Sequence, residues 1–534
     1  MPELSFTPWP EAAADRYRAL GYWRGETLGD MLRGSAERWP ERSALVGRER
    51  RISYAELDRR VDRLASGLLS LGIEPGSYVI LQLPNVPEFV EVCFALFRLG
   101  ARPVFALPSH RFVELSAFAE LTQAVAYITT GDGEGFDFVG LGQRLQARCP
   151  RLQHVLLASS LERLHAEGQL SSGPAASEVA FLQLSGGSTG IPKLIPRTHD
   201  DYLYSVRRSA EICGLSERSS YLCALPIAHN FPWSSPGVLG VLYSGGKVVL
   251  APRASPEVAF PLIEHEHVDT TALVPPLVNL WLEAARTRRE QLAPLQLLQV
   301  GGARLSRELA ERVRPELGCA LQQVYGMAEG LVCYTRSDDA AELVLGTQGR
   351  PMCTDDELRV VAEDGTEVPP GERGELWTRG PYTIRGYFRA PEANLRSFSA
   401  DGFYRTGDVV RRRPTGHVEV VGRSNDLINR GGEKVSADEL EEHLLSHPDV
   451  LQAVVVAVPD RLLGEQACAF VVPRHERVTA ADLLGFLRGR ELATYKVVDR
   501  VRLVSELPTT AIGKVSRAAL RAALGAVLAP PANR

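Results

Sequence analysis

The chain lacks a surplus of either charge. Across 534 residues, 60 Lys and Arg face 65 Asp and Glu, a formal net charge of −5. There is no bulk basic excess, so a general nucleic-acid binder is not expected. Cysteine is sparse: eight residues, at 93, 149, 213, 223, 319, 333, 353 and 468, with no C-x-x-C pair. That spacing excludes a zinc ribbon and a thioredoxin-type motif, and scattered thiols fit a reducing cytoplasm. No uninterrupted apolar run reaches about 18 residues, so no membrane span is expected. The opening MPELSFTPWPEAAADRY has no basic segment leading into an apolar one, which argues against a secretory leader. No short-period repeat is visible. What remains is a globular composition, 45% apolar and 23% charged, in a chain too long for one ordinary core.

The order of patterns suggests layers. Ser53, three residues before Glu56, caps an amphipathic helix. A strand from Tyr78, a helix from Pro87 to Leu99 and a strand from Arg102 follow, and the proline suits a first helical turn. This alternation predicts an α/β layer with a largely parallel sheet, and a similar alternation recurs between Tyr221 and Val300. From Glu357 the texture changes to short strands separated by Asp364-Gly365, Pro369-Pro-Gly371 and Thr415-Gly416. Beyond residue 424 comes a compact α+β tail, with helices from Ala437 and Ala480 and strands near Leu451 and Val501. The expected division is 1–424 and 425–534.

One loop invites phosphate chemistry: Leu184-Ser-Gly-Gly-Ser-Thr-Gly-Ile-Pro-Lys-Leu194. It fails the G-x-x-x-x-G-K-[S/T] spacing, so a P-loop kinase or ATPase is not expected. Its chemistry still suits phosphate. Ser185, Ser188 and Thr189 offer hydroxyls, Gly186, Gly187 and Gly190 let backbone N–H groups approach oxygens, and Lys193 adds a cation. Alone, such a loop is also a common surface turn.

It does not stand alone. Tyr325-Gly-Met-Ala-Glu329, Gly374-Glu-Leu376, Tyr404-Arg-Thr-Gly-Asp408, Gly422-Arg423, Asn429-Arg-Gly-Gly-Glu-Lys434 and Pro508-Thr-Thr-Ala-Ile-Gly-Lys514 follow in order. The set resembles the adenylate-forming superfamily. That resemblance implies an α/β fold: a large N-terminal domain with αβα layers and a β-rich subdomain, plus a small mobile α+β C-terminal domain. It also implies a two-step reaction using ATP and Mg²⁺. A carboxylate attacks the α-phosphate to give an acyl-adenylate and pyrophosphate, and a thiol then displaces AMP.

The first step brings two anions together, so catalysis must rest on charge neutralisation and positioning. By resemblance Lys514 is the central cation, and one such donor is worth about 2.7–4 kcal/mol. The resemblance gives Asp408 the ribose hydroxyls, which an acceptor-only carboxylate suits. It gives Arg423 a second ribose or phosphate contact, and Glu329 the metal, since Mg²⁺ takes one carboxylate plus phosphate oxygens. Tyr325 would stack on adenine among Val324, Gly326, Met327 and Val421. Gly301, Gly302 and Ala303 resemble the small-residue turn beside adenine and the acyl pocket. Gly432 resembles the passage for a pantetheine arm. Asn425 stands at the hinge, where the family carries Lys or Asp.

The acid is read from Ala228-His229-Asn230-Phe-Pro-Trp-Ser-Ser-Pro-Gly237. An Asp at the position of Asn230 would pair with an amino-acid ammonium; a neutral amide leaves it unpaired, costing several kcal/mol, roughly 3–5. An amide can instead bond a phenol. With Gln322-Gln-Val-Tyr-Gly-Met-Ala-Glu-Gly-Leu-Val-Cys-Tyr-Thr-Arg336, Gly346-Thr-Gln-Gly-Arg-Pro351 and Leu194-Ile-Pro-Arg-Thr-His199, this stretch resembles the stand-alone aryl-acid ligases of siderophore assembly. These activate salicylate or 2,3-dihydroxybenzoate and load an aryl carrier protein. His229 is then an aromatic gate beside the carboxylate, and Val332 lines the pocket. Phe231 and Cys333, where the dihydroxybenzoate enzymes carry Tyr and Asn, favour salicylate; Ser235 points the other way. No carrier motif follows Lys514, so the acceptor is expected in trans. The rivals are an aryl- or acyl-CoA ligase and a non-catalytic binding protein. Lys193, Glu329, Asp408 and Lys514 together argue against the second.

Overall fold

In the computed structural model the described residues are 6–133, 135–168, 173–185, 192–362, 364–423, 427–430, 433–460, 464–475, 477–490, 497–509 and 515–528. Two large sheets dominate the first 350 residues. A six-stranded sheet runs 194–198, 179–184, 102–105, 78–82, 126–129, 154–157 and is parallel except for its edge pair. A nine-stranded sheet has a parallel centre, in the order 320–326, 297–301, 270–273, 220–223, 247–250, 43–46. Strands buried on both faces read as continuous apolar runs, as in Tyr78–Gln82 and Ala126–Thr129. One apolar cluster joins the two sheets, with Ile80 and Leu182 from one and Tyr221 and Val248 from the other.

Local signals act as expected. Ser53 Oγ accepts from Glu56 N at 3.2 Å and starts the helix Tyr54–Ser70. Pro87 opens the buried helix Pro87–Leu99, and Gly100 ends it with φ at 75°. After residue 356 an antiparallel sheet of 357–361, 373–379, 404–412 and 418–423 forms, its last hairpin turning at Gly416.

Residues 427–528 build a separate sheet with its own apolar cluster around Ile428, Leu440, Val455 and Leu483. The expected helices appear as Ala437–Leu445 and Ala480–Arg488. The long strand Gly464–Pro473 pairs with Val450–Asp460, a hairpin that the sequence reading did not resolve. Arg474 Nη1 meets Glu283 at 2.9 Å and Arg304 meets Glu442 at 3.1 Å, contacts between this unit and the preceding one. The expected boundary at 424–425 lies outside the described residues. All eight cysteines are unbridged, and no helix among the described residues is long and apolar enough to cross a membrane.

Candidate active site

The four neighbouring parallel strands 220–223, 270–273, 297–301 and 320–326 end on one side of the sheet, the usual place for a ligand in an α/β sheet. Leu225, Val274, Gly302 and Gly326, just beyond or at those ends, line a cavity of about 240 Å³. Ser185 and Lys193, from the hairpin of the other sheet, and Thr406 and Asp408, from strand 404–412, close it.

One end of this cavity is polar and charged. Tyr325 Oη donates to Asp408 Oδ2 at 2.7 Å, and Asp408 N donates to Thr406 Oγ1 at 3.0 Å. The ladder sets Arg423 opposite Asp408. Glu329 is buried, and Tyr387 Oη donates to its Oε1 at 2.8 Å. The loop carrying Glu329 is fastened by a buried guanidinium. Arg197 donates to Ala328 O at 2.6 Å and to Tyr382 O at 3.0 Å while Asp201 neutralises it. Ser185 and Lys193 close the base of their loop with two bonds, Lys193 N to Ser185 Oγ at 2.9 Å and Ser185 N to Lys193 O at 3.0 Å. The Lys193 ammonium lies 4.7 Å from the centre of the Tyr387 ring.

The other end carries His229, Asn230, Phe231 and Ser235. His229 precedes the short helix Asn230–Ser234. Tyr202 Oη donates to Asn230 Oδ1 at 2.8 Å, which occupies the amide oxygen and leaves its N–H₂ group as the donor side of a residue that lines the cavity. Phe231 packs against an apolar cluster that includes Val324, Val332 and Tyr334. A Cβ at Gly301 would stand 3.0 Å from Phe231 Cζ and 2.8 Å from Val324 O, so the bare glycine makes room for the ring. Buried Ser235 sits at the cavity wall near Tyr334, whose hydroxyl donates to Ser209 Oγ at 2.8 Å. A single cavity thus joins an amide, an aromatic wall and a serine to two carboxylates and an ammonium.

Comparison with known proteins fits that arrangement. Residues 32–388 match the model for "AMP-binding enzyme" and residues 439–514 that for "AMP-binding enzyme C-terminal domain". The chain belongs to the AMP-binding enzyme family. It is an adenylating ligase of the aryl acid-AMP ligase type. It is 55% identical to a 2,3-dihydroxybenzoate-AMP ligase of Bacillus subtilis, over 97% of each chain. It is 47% identical to a salicyl-AMP ligase / salicyl-S-ArCP synthetase of Mycobacterium tuberculosis, over 98% of this chain and 95% of the other. Among solved structures it is similar to the apo structure of Mycobacterium smegmatis MbtA, with TM-score 0.76, 47% identity, and 97% and 98% of the two chains covered.

In this adenylating ligase the cavity gathers Ser185, Lys193, His229, Asn230, Phe231, Ser235, Gly302, Val324, Gly326, Met327, Glu329 and Asp408. Tyr325, Gly301 and Val332 stand directly behind it, through Asp408 and Phe231. Ala303 is exposed one residue beyond Gly302, and Val421 accepts from Ser436 Oγ through its carbonyl at 2.9 Å. Gly186, Gly187, Ser188, Thr189, Gly190, Asn425, Gly432 and Lys514 lie outside the described residues.

Cys333 is the exception to the expected pocket. Side chains alternate along the strand Val332–Tyr334, so Val332 and Tyr334 join the cluster on which Phe231 packs while Cys333 points the other way. It is buried among Leu358, Leu376, Val410 and Val418, where burial pushes its thiol pKa well up. The pocket argument on Phe231 keeps its geometry; the one on Cys333 does not. The structure also adds Tyr202, Tyr387, Tyr404, Thr406 and Arg197, to which the sequence reading gave no individual role. Arg197, Tyr404 and Thr406 lie inside stretches already noted in the sequence, but only the fold shows which partners these side chains meet.

Proposed function

We propose that the chain condenses an ortho-hydroxybenzoate, salicylate first, with ATP, and passes the acyl group to the phosphopantetheine thiol of an aryl carrier protein. The observation that carries this is the single cavity with Asn230, Phe231 and Ser235 at one end and Lys193, Glu329 and Asp408 at the other. An aryl carboxylate held at the first end faces an α-phosphate held at the second. A carboxylate oxygen attacks the α-phosphorus, the bond to the β-phosphate oxygen breaks, and pyrophosphate leaves. The thiol then adds to the acyl carbon and AMP leaves. Both partners of the first step are anionic, so Lys193 and, by family resemblance, Lys514 supply the neutralising charge.

Among the described residues no three His, Cys, Asp or Glu side chains converge into a metal cage. One buried carboxylate at the phosphate end fits Mg²⁺, which takes few protein ligands and completes its shell with phosphate oxygens and water. Glu329 would hold it. Bound there, the ion would neutralise phosphate charge.

Asn230 presents amide donors where an amino-acid ligase would need a carboxylate, and its geometry suits a phenol oxygen. Phe231 lacks a hydroxyl to meet a second phenol, which favours salicylate. Ser235 favours 2,3-dihydroxybenzoate as the second reading, because it puts a hydroxyl on the same wall. The need for ATP and a reduced thiol places the reaction in the cytoplasm.

Pyrophosphate exchange into ATP tests the reading, run with salicylate, 2,3-dihydroxybenzoate, benzoate, phenylalanine and a fatty acid. The expected order puts salicylate first and the amino and fatty acids at background. Exchange with phenylalanine above the aryl acids, or with none of the five, contradicts it. Loading of a phosphopantetheinylated carrier in preference to CoA tests the acceptor.

A further inference from the structure

We infer that Tyr387 is a positioning residue for the nucleotide half-reaction, its hydroxyl setting the Glu329 carboxylate for the magnesium ion of MgATP and its ring face setting the Lys193 ammonium beside the phosphates. The inference rests on the reading of this cavity as the ATP site.

Three contacts meet on this one side chain. Tyr387 Oη is 2.8 Å from Glu329 Oε1 and 3.0 Å from Tyr404 Oη, and the Lys193 ammonium stands 4.7 Å from the ring centre. A phenol has a single proton. An ionised carboxylate only accepts, so that proton goes to Glu329, and Tyr404 must give its own proton to Tyr387. The result is a directed chain, Tyr404 to Tyr387 to Glu329. The ring face carries the negative part of the aromatic quadrupole and attracts the ammonium. Tyr387 therefore touches a cation on one side and an anion on the other, and both belong around one triphosphate.

The chain also links two segments that the nucleotide must engage together. Tyr404 begins the strand 404–412 that carries Asp408, while Glu329 follows the strand 320–326 that holds Tyr325. Tyr325 ties the same pair of segments a second time, through Asp408. Two phenol-to-carboxylate bonds thus brace the metal-binding and ribose-binding carboxylates against each other before any ligand enters. A merely packed tyrosine would need neither hydroxyl contact, since its ring already contributes to the cluster of Ile195, Ile384, Ala393 and Tyr404.

Calorimetric titration of the full-length enzyme with ATP, with and without Mg²⁺, tests this apart from turnover. Tyr387→Phe keeps the ring and removes the hydroxyl. It is expected to lose about tenfold of the affinity that Mg²⁺ adds, the scale of one hydrogen bond to a charged group, while metal-free ATP binds as in the parent. Tyr387→Leu also removes the ring face and is expected to weaken metal-free ATP binding as well. Tyr404→Phe, which breaks the chain one step back, should shift in the same direction as Tyr387→Phe by a smaller factor. An unchanged Mg²⁺ enhancement in both phenylalanine variants overturns the inference. So does an equal loss with and without Mg²⁺, which marks a structural role. Failure of the parent to bind ATP at all overturns the reading of the cavity, and the inference with it.

Discussion

Tyr325 Oη donates to Asp408 Oδ2 at 2.7 Å, joining a strand of the central sheet to a strand of the β-rich subdomain. The bond holds the Asp408 carboxylate in the position from which it is proposed to take the ribose hydroxyls. Asp408→Asn removes the charge that strengthens bonds to a vicinal diol and is expected to lower kcat/KM for ATP by about 10²-fold. Tyr325→Phe keeps the aromatic face but frees the carboxylate, with an expected loss of about tenfold. Neither changes the KM for the acid by more than about twofold if the two ends of the cavity act independently. Steady-state exchange kinetics against each substrate give these values. A larger effect on the acid than on ATP contradicts the assignment of the two ends.

Phe231 and Cys333 separate by experiment because the strand alternation puts them on different sides. Phe231→Tyr adds a hydroxyl to the cavity wall and is expected to shift the kcat/KM ratio toward 2,3-dihydroxybenzoate by about fivefold to tenfold, the value of one satisfied phenol. Cys333→Asn places an amide among Leu358, Leu376 and Val410 and should leave the ratio unchanged while lowering stability by about 1–3 kcal/mol. A shift of the ratio by Cys333→Asn alone contradicts the position described here.

How far the sequence could carry these conclusions differs by residue. Helices with strong boundary signals, such as Pro87–Leu99, and buried strands such as Val179–Leu184 follow from local chemistry, since a proline, a glycine or an apolar run marks them. The hairpin 450–473 was read only in its first half, because the Gly464–Pro473 strand opens on Glu and Gln and lacks a clear period-two pattern. Asn230 and Asp408 were legible because each stands inside an ordered motif. Tyr202, Tyr387 and Arg197 were not, since their importance lies in partners 28, 58 and 131 positions away. The direction of Cys333 depends on the register of a three-residue strand against Val324–Gly326, and no spacing in the sequence states that register.

Asp356 makes stability fall as pH rises from the acid range toward about 8. It is partly buried, accepts from Tyr382 Oη at 2.5 Å, and loss of hydration raises its pKa to about 8. Its folded pKa lies above the unfolded one, near 3.9. The native state therefore binds more protons between about pH 4 and pH 8, and stability falls as pH rises through that window. Asp356→Asn removes the titration and is expected to melt above the parent at pH 8, with the gap narrowing toward pH 5. Calorimetric melting at several pH values measures it. A gap independent of pH contradicts the account.

Lys514 supplies a further check on the family mechanism. Lys514→Ala is expected to reduce salicylate-dependent pyrophosphate exchange by about 10²–10³-fold, the worth of one placed donor in such a site. Binding of ATP, for which the proposed reading relies on Lys193, Glu329 and Asp408 in the cavity wall, should change far less. Exchange at the parental rate removes Lys514 from the chemistry.

The central claim is that one cavity forms a mixed anhydride between an aryl carboxylate and AMP. Single-turnover incubation of the enzyme with MgATP and salicylate, without any thiol acceptor, followed by quenching and mass spectrometry, reads that product directly. The account predicts salicyl-AMP and pyrophosphate in amounts matching the enzyme's active sites. Release of ADP and phosphate, or consumption of ATP with no acyl-adenylate, would contradict it.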